Sequence, residues 1–193
     1  MMPHAPRQTL LRSAWLRMGL ACRQLAACFA IGWGLLMAGP VLSQNAPYDT
    51  LQRLIQADQL PEALQQAEAW LAGQPKDPQV RFLKGVIQSR QGRSDQAVDT
   101  FTELIRDYPE LPEPHNNLAV LHAAAGRLGH AREALEMALK LNPDYAVAHQ
   151  NLGDLYVRLA AESYRTSLRL APDTPGLPQK LQRAEALTAS AKP

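Results

Sequence analysis

The side chains of this sequence that could hold a ligand are amides that recur 34 positions apart, with charged residues close by. An amide both donates and accepts hydrogen bonds, so amides on neighbouring elements can grip a peptide backbone without reading its sequence. The alternative is that these amides are solvated or cap neighbouring helices, and charge on a helix is usually solvated. The candidate binding residues are Asn116, Asn117, Gln150, Asn151, Asp154, Arg90 and Arg158.

The histidines do not have the spacing of a metal site. His115 and His149 are 34 positions apart, and His122 stands where Tyr156 falls one period later. We interpret all three as packing residues, because no pattern of histidines and carboxylates at metal-ligand spacing accompanies them. The sequence also has no glycine-rich phosphate loop, no G-x-S-x-G and no H-E-x-x-H. We therefore expect a protein that is not an enzyme and that uses no metal or cofactor.

A self-match at a spacing of 34 residues organises the middle of the chain. When residues 78–111 are written above residues 112–145, small and apolar positions coincide: Gly85 with Ala119, Gly92 with Gly126, Ala97 with Ala131, Phe101 with Leu135 and Pro109 with Pro143. A fixed period of this size is typical of stacked helical hairpins rather than of a closed globular core. Apolar residues at helical spacing predict two helices in each unit, with a glycine turn between them and a proline after the second.

These matched positions resemble the tetratricopeptide repeat (TPR). A further unit begins with Asn151, Leu152, Gly153 and Tyr156, which is close to the N-L-G-x-x-Y core of the family. The resemblance implies an all-α fold, a right-handed TPR superhelix (α-solenoid) of about three to four helical hairpins plus a C-terminal capping helix. It also implies that the first helix of each hairpin lies on a concave side, where the family holds an extended peptide or a helix.

The unit of residues 78–111 departs from the TPR proteins that bind the acidic tails of chaperones. Those proteins carry Lys or Arg on successive first helices, whereas Phe82, Leu83 and Val86 occupy much of the comparable surface here. The departure favours an apolar or backbone-directed ligand. The expected partner is therefore a protein or peptide of unknown identity.

Four units are defined by the period: repeat 1 (residues 44–77, degenerate), repeat 2 (78–111), repeat 3 (112–145) and repeat 4 (146–174). Repeat 4 is five residues short, because the turn with its glycine is missing before Ala160. The stretch has no breaker except Gly153, so we predict one long helix of about 25 residues, or ~38 Å; a strained turn near residues 159–161 is the alternative. Residues 175–193 are expected to form a capping helix and a tail.

A repeat 4 that cannot fold back leaves part of its apolar surface uncovered. The C-terminal helix, a second copy of the chain or a helix from a ligand could cover that surface. A homodimer, formed by exchanging this element between copies, is therefore one expectation.

The first 43 residues have the pattern of a targeting segment. Four arginines and no acidic residue precede an apolar stretch over residues 25–39, and Val41 and Ser43 supply small side chains at the end. This pattern predicts a secretory signal peptide that is cleaved after about Ser43. The alternative is an uncleaved inner-membrane anchor, although the apolar run is shorter than the ~20 residues that a spanning helix needs. A start at Met18, instead of Met1 or Met2, would give a leader of more ordinary length.

Removing this segment changes the net charge and the cysteine content of the chain. The chain has 20 basic and 18 acidic residues, and the four arginines of the leader leave 16 basic residues and a net charge of about −2. The sequence shows no clustered basic face of the kind that binds nucleic acid. Both cysteines, Cys22 and Cys28, also lie in the leader, so residues 44–193 contain no thiol.

Together these features predict a periplasmic TPR scaffold or adaptor of an exported bacterial type, which touches the membrane only if its leader stays uncleaved. One alternative is a periplasmic folding or assembly factor that shields envelope clients. Another is a membrane-tethered subunit of an envelope complex. A scaffold should have one or two stoichiometric partners, whereas a client-shielding factor should bind many unfolded chains weakly.

Overall fold

The computed structural model describes residues 47–190, so the predicted signal peptide lies outside the described residues. Within this range the chain forms α-helices and no β-strand: α1 (Tyr48–Gln56), α2 (Leu60–Gly73), α3 (Pro78–Arg90), α4 (Ser94–Asp107), α5 (Pro112–Ala124), α6 (Leu128–Leu141), α7 (Ala146–Leu170) and α8 (Leu177–Ser190). Repeats 1 to 3 are the hairpins α1–α2, α3–α4 and α5–α6. None of these eight helices is long and apolar enough to cross a membrane.

The turns of the first three repeats are built alike, at positions 34 residues apart. Asp58, Gly92 and Gly126 have φ angles of 56°, 74° and 74°. In each turn the next residue donates its N–H to the carbonyl five residues earlier, as Arg93 does to Gln88, which closes the preceding helix. Glycine adopts a positive φ without steric cost, and this explains its place in two of the three turns.

Repeat 4 has no such turn, and α7 is a single helix of 25 residues from Ala146 to Leu170. The core that α7 shares with α5 and α6 includes its residues only as far as Leu159. Beyond that point α8 lies along α7, and Arg165 donates two hydrogen bonds to Oε1 of Glu185, at 3.1 and 2.9 Å. Leu177 and Ala184 of α8 are buried. The C-terminal helix therefore covers one side of the second half of α7.

The core is a line of three small apolar clusters rather than one centre. The first joins α1, α2 and α3 around Leu51, the second joins α4 to α5 around Phe101, and the third joins α5, α6 and α7 around Leu135. Phe82 and Val86 pack against both the first and the second cluster. Each cluster therefore joins neighbouring repeats, as expected for a solenoid.

The two helices of repeat 2 approach each other closely at Gly85, and this explains why that residue is small. Phe101 is fully buried, and a Cβ placed on Gly85 would lie 2.6 Å from Cε1 of its ring. Repeat 3 has Ala119 and Leu135 at the same two positions, and both are buried in one cluster. A larger residue on one helix is thus matched by a smaller one on the other.

One carboxylate joins the three helices at the start of the stack. Oδ2 of Asp77 accepts hydrogen bonds from the hydroxyl of Tyr48 (3.0 Å) and from Nε1 of Trp70 (2.8 Å). Oδ1 accepts from the backbone N–H groups of Gln79 and Val80, both at 3.1 Å, and so caps α3. The hydrogen bond to Asp77 also raises the pKa of Tyr48. Repeat 1 is therefore tied to repeat 2 by polar contacts as well as by its core.

Candidate functional site

The first helices of the repeats stand side by side. α1 contacts α3, α3 contacts α5 and α5 contacts α7, whereas α2, α4 and α6 make no contact with one another in the described part of the chain. A stack whose first helices approach while its second helices diverge is curved, with the first helices inside. We call the exposed side of α1, α3, α5 and the first half of α7 the inner face.

Two of the predicted amides are bonded to each other on this face. Nδ2 of Asn151 donates a hydrogen bond to Oδ1 of Asn116 at 2.8 Å. Asn116 is only 5% exposed, and Asn151 is half-buried. The 34-residue period places Asn117, not Asn116, at the position equivalent to Asn151. The observed bond joins residues 35 apart, and it ties α5 to α7.

The remaining predicted residues of repeats 3 and 4 differ in what they offer. Nδ2 of Asn117 donates to the carbonyl of Glu113, one turn earlier in the same helix, at 2.9 Å. Gln150 and Asp154 are exposed, and Arg158 is half-buried. Arg158 has no ion pair within residues 47–190. Gln150, Asp154 and Arg158 thus keep polar groups available to a ligand.

Arg90 is held within the chain. Its Nη1 donates to the carbonyl of Ile55, and its Nη2 donates to Oδ1 of Asp58 at 3.1 Å. These two hydrogen bonds link the C-terminal end of α3 to the turn of repeat 1. The guanidinium therefore stabilises the only described turn residue other than glycine that has a positive φ.

The apolar surface expected on repeat 2 is smaller than the sequence indicates. Leu83 is buried in the first cluster and is 7% exposed, so it does not face a ligand. Phe82 and Val86 are half-buried, because they fill the space between the first and second clusters. Their exposed edges are all that repeat 2 contributes to an apolar inner face.

Two exposed valines flank the amide pair of Asn116 and Asn151. Val120 follows Asn116 by one turn of α5 and is 46% exposed, while Val147 precedes Asn151 by one turn of α7 and is 52% exposed. Residues four apart lie on the same side of a helix, so these four side chains share one surface. Neither valine is among the binding residues predicted from the sequence. The period could have found Val120, which lies 34 residues after Val86.

We call this surface the inner patch: Asn116, Val120, Val147, Gln150, Asn151 and Asp154. Its apolar ends are contributed by two different repeats, and its centre is an amide pair that is already partly satisfied. Such a surface can take an apolar side chain at either end and a peptide backbone or polar side chain between them. It carries no pair of nucleophile and base.

The histidines have different environments. His115 and His122 are half-buried, as a packing role requires, but His149 is exposed. Burial lowers the pKa of His115; at His122, burial and the charges of Arg127 and His130 lower the pKa together. The rings of His122 and His130 are 5.5 Å apart. Residues 47–190 contain no group of three His, Cys, Asp or Glu side chains arranged to hold a metal ion.

Comparison with known proteins agrees with this architecture. A family model described as the tetratricopeptide repeat matches residues 48–112 and 88–146, together slightly more than half of the chain. The chain belongs to the tetratricopeptide repeat family. TPR proteins are generally scaffolds for protein–protein interaction rather than enzymes, which supports a protein partner for this chain.

Individual relatives share the repeats but not the whole protein. The TPR repeat-containing thioredoxin TTL4 of Arabidopsis thaliana is 40% identical over 106 residues, which is 52% of this TPR chain. The chain spans only 15% of the length of that relative. What the larger protein does therefore does not follow for this one.

Solved structures confirm the all-α TPR superhelix. The thermophilic TPR protein TTC0263 of Thermus thermophilus has a TM-score of 0.55 at 23% identity, with 72% of this chain and 80% of that chain covered. PilF of Pseudomonas aeruginosa has a TM-score of 0.54 at 16% identity, with 76% and 75% covered. At these identities the similarity establishes the fold alone.

Proposed function

We propose that this TPR protein is a periplasmic scaffold or adaptor that binds a protein partner through the inner patch. The observation that carries the proposal is the exposure of Val120 and Val147 on one surface built by two repeats. Their side chains are apolar, yet no other element among residues 47–190 covers them. A surface of this kind favours a partner that supplies apolar side chains at two places.

The polar groups of the patch would orient such a partner. Gln150 can donate to and accept from a peptide backbone, and the exposed Asp154 favours a basic group nearby. The bonded pair of Asn116 and Asn151 still has free donor and acceptor capacity, because one hydrogen bond uses only part of each amide. We infer an extended or helical segment that crosses α5 and α7.

Capture of partners from crosslinked envelope fractions tests this site. The double variant Val120→Glu, Val147→Glu places charge on the patch at two exposed positions, so the fold should be unaffected. Met137→Glu is the matched control, because Met137 is 40% exposed on the second helix of repeat 3. We expect one or two stoichiometric partners with the wild type and the control, and loss of them with the double variant.

Other outcomes would move the proposal. A partner that survives the double variant but is lost with Met137→Glu places the site on the outer side of the superhelix. A broad set of weakly held, unfolded chains, unaffected by either change, favours the folding or assembly factor instead. The shortened repeat 4 also favours self-association, as one further kind of protein contact.

The periplasmic location is supported by the leader alone. Its four arginines, its apolar stretch over residues 25–39 and the small residues before Gln44 are the supporting features. Cell fractionation and the intact mass of the recovered protein test it. An N-terminus at Gln44 in the periplasmic fraction is expected, whereas a full-length chain in the membrane fraction would support the tethered subunit.

A further inference from the structure

The first half of α7 lacks the helix that covers the equivalent surface in the two preceding repeats. Gly85 in repeat 2 lies under the ring of Phe101, and Ala119 in repeat 3 is 1% exposed. Gly153 is the next member of this series, one period later, and it is exposed. A Cβ at Gly153 would meet nothing within 4 Å. The packing site is therefore filled in repeats 2 and 3 and open in repeat 4.

The residues that should fill the site are present, but further along the same helix. Ala160 and Tyr164 occupy the repeat positions of Ala131 and Leu135, once the five missing residues are allowed for. Leu135 is 2% exposed, whereas Tyr164 is half-buried beside α8. Tyr164 lies 11 residues after Gly153, about 16 Å along the helix, so it cannot reach Gly153 of its own chain.

The two positions share one side of α7. Eleven residues make three turns plus about 20°, so Tyr164 points in nearly the same direction as Gly153. Val157 and Ala160 lie on the same strip between them, and both line an open groove between α7 and α8. One strip along α7 therefore carries both the open packing site at Gly153 and the Tyr164 side chain, which has the repeat position that fills such a site.

We propose that a second copy of this chain occupies the strip. Two α7 helices pair antiparallel about a two-fold axis between Arg158 and Leu159. Gly153 of each copy then receives Tyr164 of the other, and the Val157 of each meets the Ala160 of the other. Such an interface is self-complementary, as two-fold symmetry requires. The exchange rebuilds, between two chains, the hairpin that the missing turn prevents within one.

Two features of the chain favour a second copy over an unrelated partner. The contact has the same form as the contact of Gly85 with Phe101, which the chain already makes in repeat 2. In repeat 2, Phe101 also packs against Leu118 and Leu121 of the next helix, α5. Tyr164 and α8 line one groove, so α8 lies next to Tyr164 as α5 lies next to Phe101. What would complete the arrangement is the first half of another α7.

Sedimentation equilibrium of residues 44–193, which contain all the described helices, tests the proposal. The variant Gly153→Leu fills the hole, and Gly129→Leu is its control, since a Cβ at Gly129 also meets nothing within 4 Å. A third variant copies residues 126–130 between Leu159 and Ala160 and so restores a glycine turn. We expect a dimer for the wild type and for the control.

Gly153→Leu is expected to weaken the dimer by about tenfold or more, as for a residue at the centre of an interface. The insertion should give a monomer. Circular dichroism checks that each variant is folded, and removing a glycine from the middle of a helix should not lower helix content. A wild type that is monomeric at all concentrations would overturn the proposal, and so would a dimer that tolerates both changes.

Discussion

The contact between Gly85 and Phe101 allows the packing of a single methyl group to be tested. Replacing Gly85 by alanine adds a Cβ that would lie 2.6, 2.7 and 3.0 Å from three carbons of the Phe101 ring. Real carbon atoms do not approach this closely, so the ring must move. Phe101 is fully buried in the cluster of Ala97, Leu118 and Leu121.

Two effects of opposite sign determine the stability of Gly85→Ala. Alanine is favoured over glycine in a helix interior by about 1 kcal/mol. Inserting a group into a well-packed core costs about 1–3 kcal/mol. Since the added atom meets a buried ring rather than an exposed side chain, the packing cost should prevail. Subtracting the helix gain from the packing cost leaves an expected net loss of up to about 2 kcal/mol in the free energy of unfolding.

Urea denaturation followed by circular dichroism measures this loss on residues 44–193. Gly129→Ala is the control, because the same change in α6 meets open space and should leave stability unchanged or slightly higher. The double variant Gly85→Ala, Phe101→Leu copies the Ala119 and Leu135 pair of repeat 3. It should be more stable than Gly85→Ala alone, although Phe101→Leu by itself removes buried apolar volume.

A rise in the unfolding midpoint of Gly85→Ala would refute the predicted clash with Phe101. Losses of Gly85→Ala and Phe101→Leu that simply add in the double variant would also refute it. Additive losses would mean that the two residues do not share the same space.

Three further predictions follow from single features. Gly126→Ala should lower stability by about 1 kcal/mol in urea denaturation, because φ at this position is 74°. Asn116→Ala should cost about 1 kcal/mol, since it removes a part-buried 2.8 Å hydrogen bond and leaves a donor of Asn151 without this partner. The pKa of His122 is lowered from 6.5 in the folded state, so the unfolded state takes up the proton first as the pH falls. Stability should therefore decrease as the pH drops through 6.5, and His122→Gln should reduce that dependence in midpoints measured across pH, while His115, whose pKa is also lowered, supplies the rest.

The fold could be predicted from the sequence largely because its rules are local. Gly92 and Gly126 mark turns that need a positive φ, and Pro78 and Pro112 begin helices where a missing N–H costs nothing. The absence of a glycine turn in repeat 4 is enough to predict the long α7. These signals act within a few residues, and a period of 34 repeats them.

The candidate site was harder to predict, because its contacts cross between repeats. The period shows which residues are equivalent, but it does not give the offset at which α5 meets α7. That offset comes from how side chains pack, and it joins Asn151 to Asn116 rather than to Asn117. Arg90 illustrates a second limit, since a long side chain can turn back to a carboxylate such as Asp58 on a neighbouring turn.

Gly85 and Gly153 hold equivalent positions in the repeat but have different environments. The period treats them alike, and both lie on the first helix of a hairpin. A small residue is required at Gly85 because the Phe101 ring lies against it. At Gly153 the equivalent space is open, because no side chain of the same molecule lies there. The five residues missing between Leu159 and Ala160 separate the two cases. Because a glycine within a helix costs stability relative to alanine, an open Gly153 is best explained by something that packs on it, and Tyr164 of a second copy has the right position to do so.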